Sequence, residues 1–357
     1  MFSIIKRQDW FLNSAILFLA IAGLTIIYSG SPNLFWYQLL WFGLGFLGLF
    51  LLPLIDWRPI INYPRIIFGA YFLVIALLIV TLFLAPTIRE SKSWLVFGPI
   101  QFQTSELAKA ALIIAFAYFF ARRHVGIAHF GILATSLALF LTPAVLILAQ
   151  PDLGAALILF GIWLGFLLVS GVQWRHLAIG LFLFLVIAAL AWGYFLKDYQ
   201  KERIIGLFNP EYDPLGVNYS VIQSKIAIGS AGFLGKGFGQ GTQVQLGFLP
   251  EAETDFVLAA FIEEWGLLGG FLIIAAFSFL MLRIIRIGLI SENNFSRFVC
   301  LGAVIMFLLQ FILNVGSSIG LSPVVGVTFP FLSYGGSSIL TNFILIGIIQ
   351  SIVVRFR

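Results

Sequence analysis

Long apolar runs separated by short polar breaks recur along this chain. They fall at residues 11–27, 34–55, 66–85, 107–121, 130–149, 153–169, 177–196, 256–281, 298–315 and 338–354. Each approaches the length an α-helix needs to cross a hydrocarbon core of about 30 Å. The pattern predicts an all-α integral membrane protein, with about ten transmembrane helices in one polytopic domain over residues 1–357. Connections are short except for residues 197–254, and loops of that length are usually functional or internally structured.

Inside that long loop, Tyr219, Ile222 and Ile226 recur on one face, and Ser220 and Gln223 have capping-box spacing. This predicts a short amphipathic helix, either lying in the membrane interface or packed on the bundle, with Lys225 at headgroup level. The run Gly235-Lys236-Gly237-Phe238-Gly239-Gln240-Gly241 follows. No strand precedes it as a dinucleotide fold demands, which leaves a plain turn or one that offers backbone N–H groups to a phosphate. Residues 317–337 are apolar yet rich in Gly and Pro. Such backbone at membrane depth must be covered by protein or line a cavity.

Composition agrees: 61% of residues are hydrophobic and 10% charged, against about 25% charged in soluble domains. Lys6, Arg7, Arg58, Arg65, Arg122, Arg123, Arg175, Arg283, Arg286, Arg297, Arg355 and Arg357 share one side of the predicted topology. The positive-inside rule makes that side, and both termini, cytoplasmic. The net charge of +5 follows from this topology and implies no nucleic acid partner. Acidic residues crowd the other side and need a different reason. Lys6 and Arg7 before an apolar run resemble a signal peptide, but the run continues to Ile27, which reads as a retained first span. The single cysteine, Cys300, excludes an intramolecular disulfide. His124, His129 and His176 lie in or beside the basic loops. Chemistry on the acidic side therefore falls to carboxylates, Lys, Arg and hydroxyls.

Asp255 is the foremost candidate. It ends the acidic run Glu251-Ala252-Glu253-Thr254-Asp255 at the mouth of an apolar segment, within reach of both water and lipid headgroups. Neighbouring like charge raises a carboxyl pKa and suits a base; Thr254 or Asp255 could instead cap the helix. Glu106 and Lys109 stand at i and i+3 on one helix face. A cation that deep in a membrane helix marks function by default, with a structural ion pair as the alternative. Arg89, Glu90, Lys92 and Trp94 precede that helix. The basic groups could clamp an anionic phosphate, and Trp94 also suits an interface anchor. Asp152 in Gln150-Pro151-Asp152-Leu153-Gly154 is placed to cap the next helix. Glu263 and Glu264 lie inside the helix that Asp255 begins, turned off to its side and away from it, and are expected to pair with polar groups in the bundle.

Several stretches resemble the SEDS family (shape, elongation, division, sporulation) of bacterial cell-wall proteins. They are Lys92-Ser93-Trp94, residues 98–109 through Ser105-Glu106-Leu107-Ala108-Lys109, residues 150–154, 235–241, 249–256 and 263–269, and residues 320–323 through 330–338. Short termini and compact loops resemble the elongation branch more than the division branch. Thr104 stands where the family usually has Pro, and Glu253 where it often has His, a change that bears on the proton affinity of Asp255.

The resemblance implies a ten-span peptidoglycan glycosyltransferase of the bacterial cytoplasmic membrane that polymerises lipid II on the outer face. Asp255 would match the family's essential aspartate, and a class B penicillin-binding protein would be the partner. The chemistry admits an inverting displacement in which Asp255 acts as general base. Lys109 and Lys92, with Glu106, Arg89, Trp94 and Asp152 in the candidate substrate site, would bind and stabilise the departing pyrophosphate. A divalent cation, Mg2+ or Mn2+, could assist; its ligands are not fixed by the sequence, and no organic cofactor is expected. Two other readings stay open: a lipid II flippase, with which discontinuous helices and intramembrane Glu263, Glu264 and Lys109 are compatible, and a scaffold that only docks a partner.

Overall fold

The computed structural model describes residues 2–56, 63–88, 91–98, 100–123, 130–171, 175, 192–193, 198–209 and 212–355. Its helices are α1 (Phe2–Lys6), α2 (Trp10–Gly30), α3 (Pro32–Leu51), α4 (Pro64–Leu84), α5 (Thr104–Ala121), α6 (Phe130–Ala149), α7 (Leu153–Val169), α8 (Asp198–Phe208), α9 (Tyr219–Ser230), α10 (Thr242–Gln245), α11 (Val257–Ile290), α12 (Asn294–Ile319) and α13 (Gly336–Arg355). Eight of them, among the described residues, are long and apolar enough to cross a membrane; α7 is apolar but shorter. The run predicted at 177–196 lies outside the described residues. The other nine predicted runs each coincide with a helix.

The boundaries follow local chemistry. Asp9 caps α2 by accepting from the Leu12 amide at 3.0 Å, and Asn293 caps α12 by accepting from Phe295 at 2.9 Å. Pro32 and Pro64 open α3 and α4, where a missing N–H leaves no helical bond unmade. Gly320, at φ +76°, closes α12 in the left-handed conformation.

Helices α5 and α13 form the centre: 78% and 89% of their spans are buried, against 28% for α3, α4 and α6. α13 lies against α3 and α5, α12 packs on α5 and α11, and α11 runs beside α2. Side chains left bare on the rim, such as Phe83 and Leu84, are apolar, as contact with lipid requires.

Polar contacts gather at the two ends. At one, Asp9 forms an ion pair with Arg283, Gln350 accepts from the Asp9 amide at 2.9 Å, and Arg355 pairs with Asp56 at 3.2 Å. Arg283 and Arg355, two of the basic residues that the sequence reading puts on the cytoplasmic side, meet their partners here. Asp255 lies at the opposite end.

The structure departs from the sequence reading in three places. First, the fold is all-α as expected, but it carries one short hairpin that the sequence reading did not anticipate. Strands β1 (Trp94–Phe97) and β2 (Ile100–Gln103) pair antiparallel, with Trp94 opposite Gln103, just before α5. β-Branched and aromatic residues on both sides of a turn glycine, Gly98 at φ +61°, favour a hairpin over a loop. Second, α9 forms as predicted but without the capping box, because its N-cap is Asn218 and no side chain caps it. Ser224 and Ala227 are buried on the bundle, with Val221 and Ile228 packed beside them, while Ile226 is exposed. The packing face is thus rotated from Tyr219–Ile222–Ile226.

Third, α11 is broken. Gly266 takes φ +74° and ψ −179°, and the glycine-rich loop fills the gap. Lys236 and Gly237 donate their amides to the carbonyls of Glu263 and Glu264, both at 3.0 Å. On the other side, Leu267 and Leu268 donate to the carbonyls of Gly232 and Phe233, both at 3.1 Å. A helix break inside a membrane protein needs such partners because no water supplies them. The amides of Lys236 and Gly237, which could have cradled a phosphate, are thereby occupied in capping α11.

Candidate active site

The segment before α11 is a tight turn built on Glu251, whose backbone has φ +55°. The Glu251 carbonyl accepts from the amides of Thr254, Asp255 and Phe256 at 3.1, 3.1 and 3.2 Å. The N-cap position belongs to Phe256, whose side chain makes no capping bond. The flanking acids face their own hydroxyl partners. Glu251 accepts from Thr254 at 3.0 Å, and Glu253 accepts from Ser31 at the end of α2. Asp255 is half-buried.

The backbone of this turn is braced from two directions. Asn314 of α12 donates its side-chain amide to the carbonyl of Asp255 at 3.0 Å and to that of Val327 at 2.8 Å. Ser333 donates to the Thr254 carbonyl at 2.6 Å, and the Tyr334 amide donates to the Glu253 carbonyl at 2.7 Å. Residues 321–335 are the irregular stretch anticipated from the sequence. Their later part is covered by protein, with Phe329, Phe331 and Leu332 fully buried, whereas Leu321 at the start is exposed. Asn314 stands five residues before the end of α12, about 7–8 Å down the helix at 1.5 Å per residue. The aspartate turn therefore lies below the rim of the bundle.

The start of α13 holds the last residue before α5. Ser337 accepts from the Gln103 amide at 2.8 Å, and Thr328 and Ser338 share a hydroxyl bond at 2.8 Å. Asp152 caps α7 by accepting from the Ala155 amide at 3.0 Å. Its other oxygen accepts from Gln103 at 2.9 Å and Ser105 at 3.0 Å. Both carboxylate oxygens are thus engaged in holding α5 to α7, which makes Asp152 a positioning residue.

Lys109 and Glu106 form the ion pair that was the alternative to function, at 2.7 Å and nearly fully buried. The pair is incomplete, since Glu106 Oε2 is buried with no partner among the described residues. Lys92 is exposed and Trp94 half-buried on β1; the Lys92 amide ties the hairpin to the Gln150 carbonyl at 3.3 Å. Arg89 and Glu90 lie outside the described residues. Glu263 and Glu264 pair with the long loop and α2. Glu263 holds Lys236 at 2.7 Å and the Gln243 amide at 3.0 Å, and Glu264 accepts from Ser29.

Among the described residues no three His, Cys, Asp or Glu side chains converge to hold a metal. Mg2+ commonly binds through one or two carboxylates plus substrate phosphates, and the unpartnered Glu106 oxygen fits that mode. Sequence reasoning missed Asn314, Ser333 and Ser337. Asn314 carried a signal, a polar residue inside an apolar run; Ser333 and Ser337 lay within a recognised motif without an evident role.

Together these features define a multi-pass helical membrane protein with a polar site set into one mouth of the bundle. The chain matches, over residues 10–357, the family described as Cell cycle protein, which groups FtsW, RodA and SpoVE, and it belongs to that family. It is 36% identical to peptidoglycan glycosyltransferase MrdB of Escherichia coli K12 over 300 residues, covering 81% of this chain and 79% of that protein. Among solved structures, it resembles one from a peptidoglycan synthase complex coordinating polymerization and crosslinking, with a TM-score of 0.83, 32% identity and 97% of each chain covered. It also resembles the rod shape determining protein RodA of Thermus thermophilus, with a TM-score of 0.71, 27% identity, and 97% and 96% of the two chains covered.

Proposed function

We propose that this chain is a peptidoglycan glycosyltransferase of the elongation branch, polymerising lipid II on the outer face of the cytoplasmic membrane. The observation that carries the reading is the half-buried Asp255, opposite the basic end of the bundle, in a turn braced by Asn314 and Ser333. The basic residues at the other end support cytoplasmic termini by the positive-inside rule. A class B penicillin-binding protein is the proposed partner, in keeping with the synthase complex that the fold resembles.

The donor must arrive already activated, and a lipid-linked pyrophosphate sugar meets that need. Asp255 takes the proton of the acceptor sugar's 4-hydroxyl. The resulting oxygen attacks the anomeric carbon of the donor from the face opposite the leaving group. The lipid pyrophosphate departs with the bonding electron pair, and the configuration inverts. Lys109 and Lys92 stabilise the anion that forms. Glu106 orients Lys109 and, with the substrate's phosphates, would hold a divalent cation; that ion would add charge stabilisation to the leaving group.

The test is polymerisation from purified lipid II by pure protein, with and without the presumed transpeptidase. Product from the intact protein and none from Asp255→Asn supports the reading; unchanged synthesis by the variant removes Asp255 from it. The break in α11 gives specific support to a second reading, transport of lipid II, because discontinuous helices line many transport sites. Movement of labelled lipid across sealed vesicles without new glycan would favour transport.

A further inference from the structure

Away from the Asp255 turn, helices α8 and α9 and residues 320–324 enclose an open cleft of about 40 Å³. That space suits a group the size of a few waters. Two cationic side chains line it. The Arg203 guanidinium on α8 donates to the Val324 carbonyl at 2.9 Å, which fixes its orientation across the cleft. Lys225 on α9 is exposed. Its ammonium rests against Gly320, where an added Cβ would meet Nζ and Cε. Gly320 therefore serves two ends: it closes α12 in a left-handed conformation, and it leaves room for the lysine. Ser322 and Asn218 contribute polar atoms and Val221 an apolar wall.

The surroundings point to the kind of anion. Phe208, Leu215 and Leu321 are 83%, 87% and 76% exposed, among the barest apolar side chains of the protein. Phe208 directly follows Leu207 in the cleft wall, Leu321 sits between Gly320 and Ser322, and Leu215 lies two residues before Val217. Apolar side chains this exposed are unfavourable in water and favourable among acyl chains. Two cations with an apolar fringe at the end of a membrane helix complement a phosphate that carries its own hydrocarbon.

We infer that this cleft is a binding site for the phosphate of a membrane glycerophospholipid, gripped by Lys225 and Arg203 while Phe208, Leu215 and Leu321 contact its acyl chains. The site fastens the α8–α9 part of the long loop to the membrane surface. It stands whether or not the chain makes glycan, because none of its residues belongs to the Asp255 site.

The experiment uses the full chain in nanodiscs of phosphatidylcholine with added phosphatidylglycerol, extracted gently and weighed by native mass spectrometry. One retained phosphatidylglycerol per chain is expected, reduced about fivefold in Lys225→Gln, abolished in Lys225→Glu and preserved in Lys225→Arg. Because Lys225 is exposed, these variants should fold, with a melting temperature matching the parent as the check. Equal retention by Lys225→Glu would overturn the site. Displacement by excess inorganic phosphate would overturn it in favour of a free-phosphate site. Preferential uptake of a polyprenyl pyrophosphate would overturn it in favour of a substrate subsite.

Discussion

Asn314 donates its side-chain amide to the backbone carbonyl of Asp255 at 3.0 Å. Helix α12 thus sets the height and direction of the turn that presents the aspartate. The residue as a whole is half-buried. With the backbone braced separately from the side chain, the effects of mutation separate cleanly.

Replacing Asp255 by Asn keeps the shape and removes the base. Turnover of purified lipid II should fall by a factor of about 10² to 10⁴, the usual contribution of general base catalysis, while the melting temperature stays where it was. Rate and thermal denaturation measured on one preparation provide the check.

Replacing Asn314 by Leu removes the brace and leaves carbonyls of the turn without a partner, at a cost of about 1–3 kcal/mol. Lower thermal stability should accompany a reduced turnover number, with apparent substrate affinity changing less. Ser333→Ala should act in the same direction, because it strips the bond to the Thr254 carbonyl.

The buried Lys109–Glu106 pair separates stability from catalysis. Lys109→Met alone strands a buried carboxylate and should cost about 3–5 kcal/mol. Combining it with Glu106→Leu should recover most of that stability, because two apolar groups can replace a buried ion pair at little cost. If Lys109 meets the leaving group, the double variant will fold and still make no glycan. Recovery of activity along with stability would make the pair purely structural.

At the far end, Arg283→Met strands the buried Asp9 and should destabilise by a similar 3–5 kcal/mol. The activity of the protein that remains folded should be unchanged. Specific activity corrected for folded fraction is the measurement.

Gly266→Ala should be among the most damaging small substitutions. The new Cβ would overlap the Phe233 carbonyl and the Gly235 amide, and the backbone conformation is one that only glycine adopts readily. Loss of folded protein in a detergent melting assay is the expected outcome.

Much of this was legible in the residues. Nine apolar runs matched helices because membrane burial imposes one rule, satisfaction of every backbone group within the segment. The motifs around Glu106, Asp152 and Asp255 pointed to the right family. What escaped were relationships set by long-range contacts. Nothing local in Gly235–Gly241 says that its amides cap a helix interrupted at Gly266. The rotated face of α9 is decided by Ser224 reaching the Ser318 carbonyl at 2.8 Å, a partner far along the chain. The hairpin at 94–103 was overlooked because the apolar pattern of a membrane chain hides the alternation that marks a strand in water.

The interrupted helix also carries a consequence for how the chain is made. Four backbone groups at the break find partners only on residues 232–237, which a ribosome delivers earlier. Broken at Gly266 without that loop, the eighth apolar run would hold those groups bare in hydrocarbon at several kcal/mol each. The break in that run and the fold of the preceding loop must therefore form as a single coupled event.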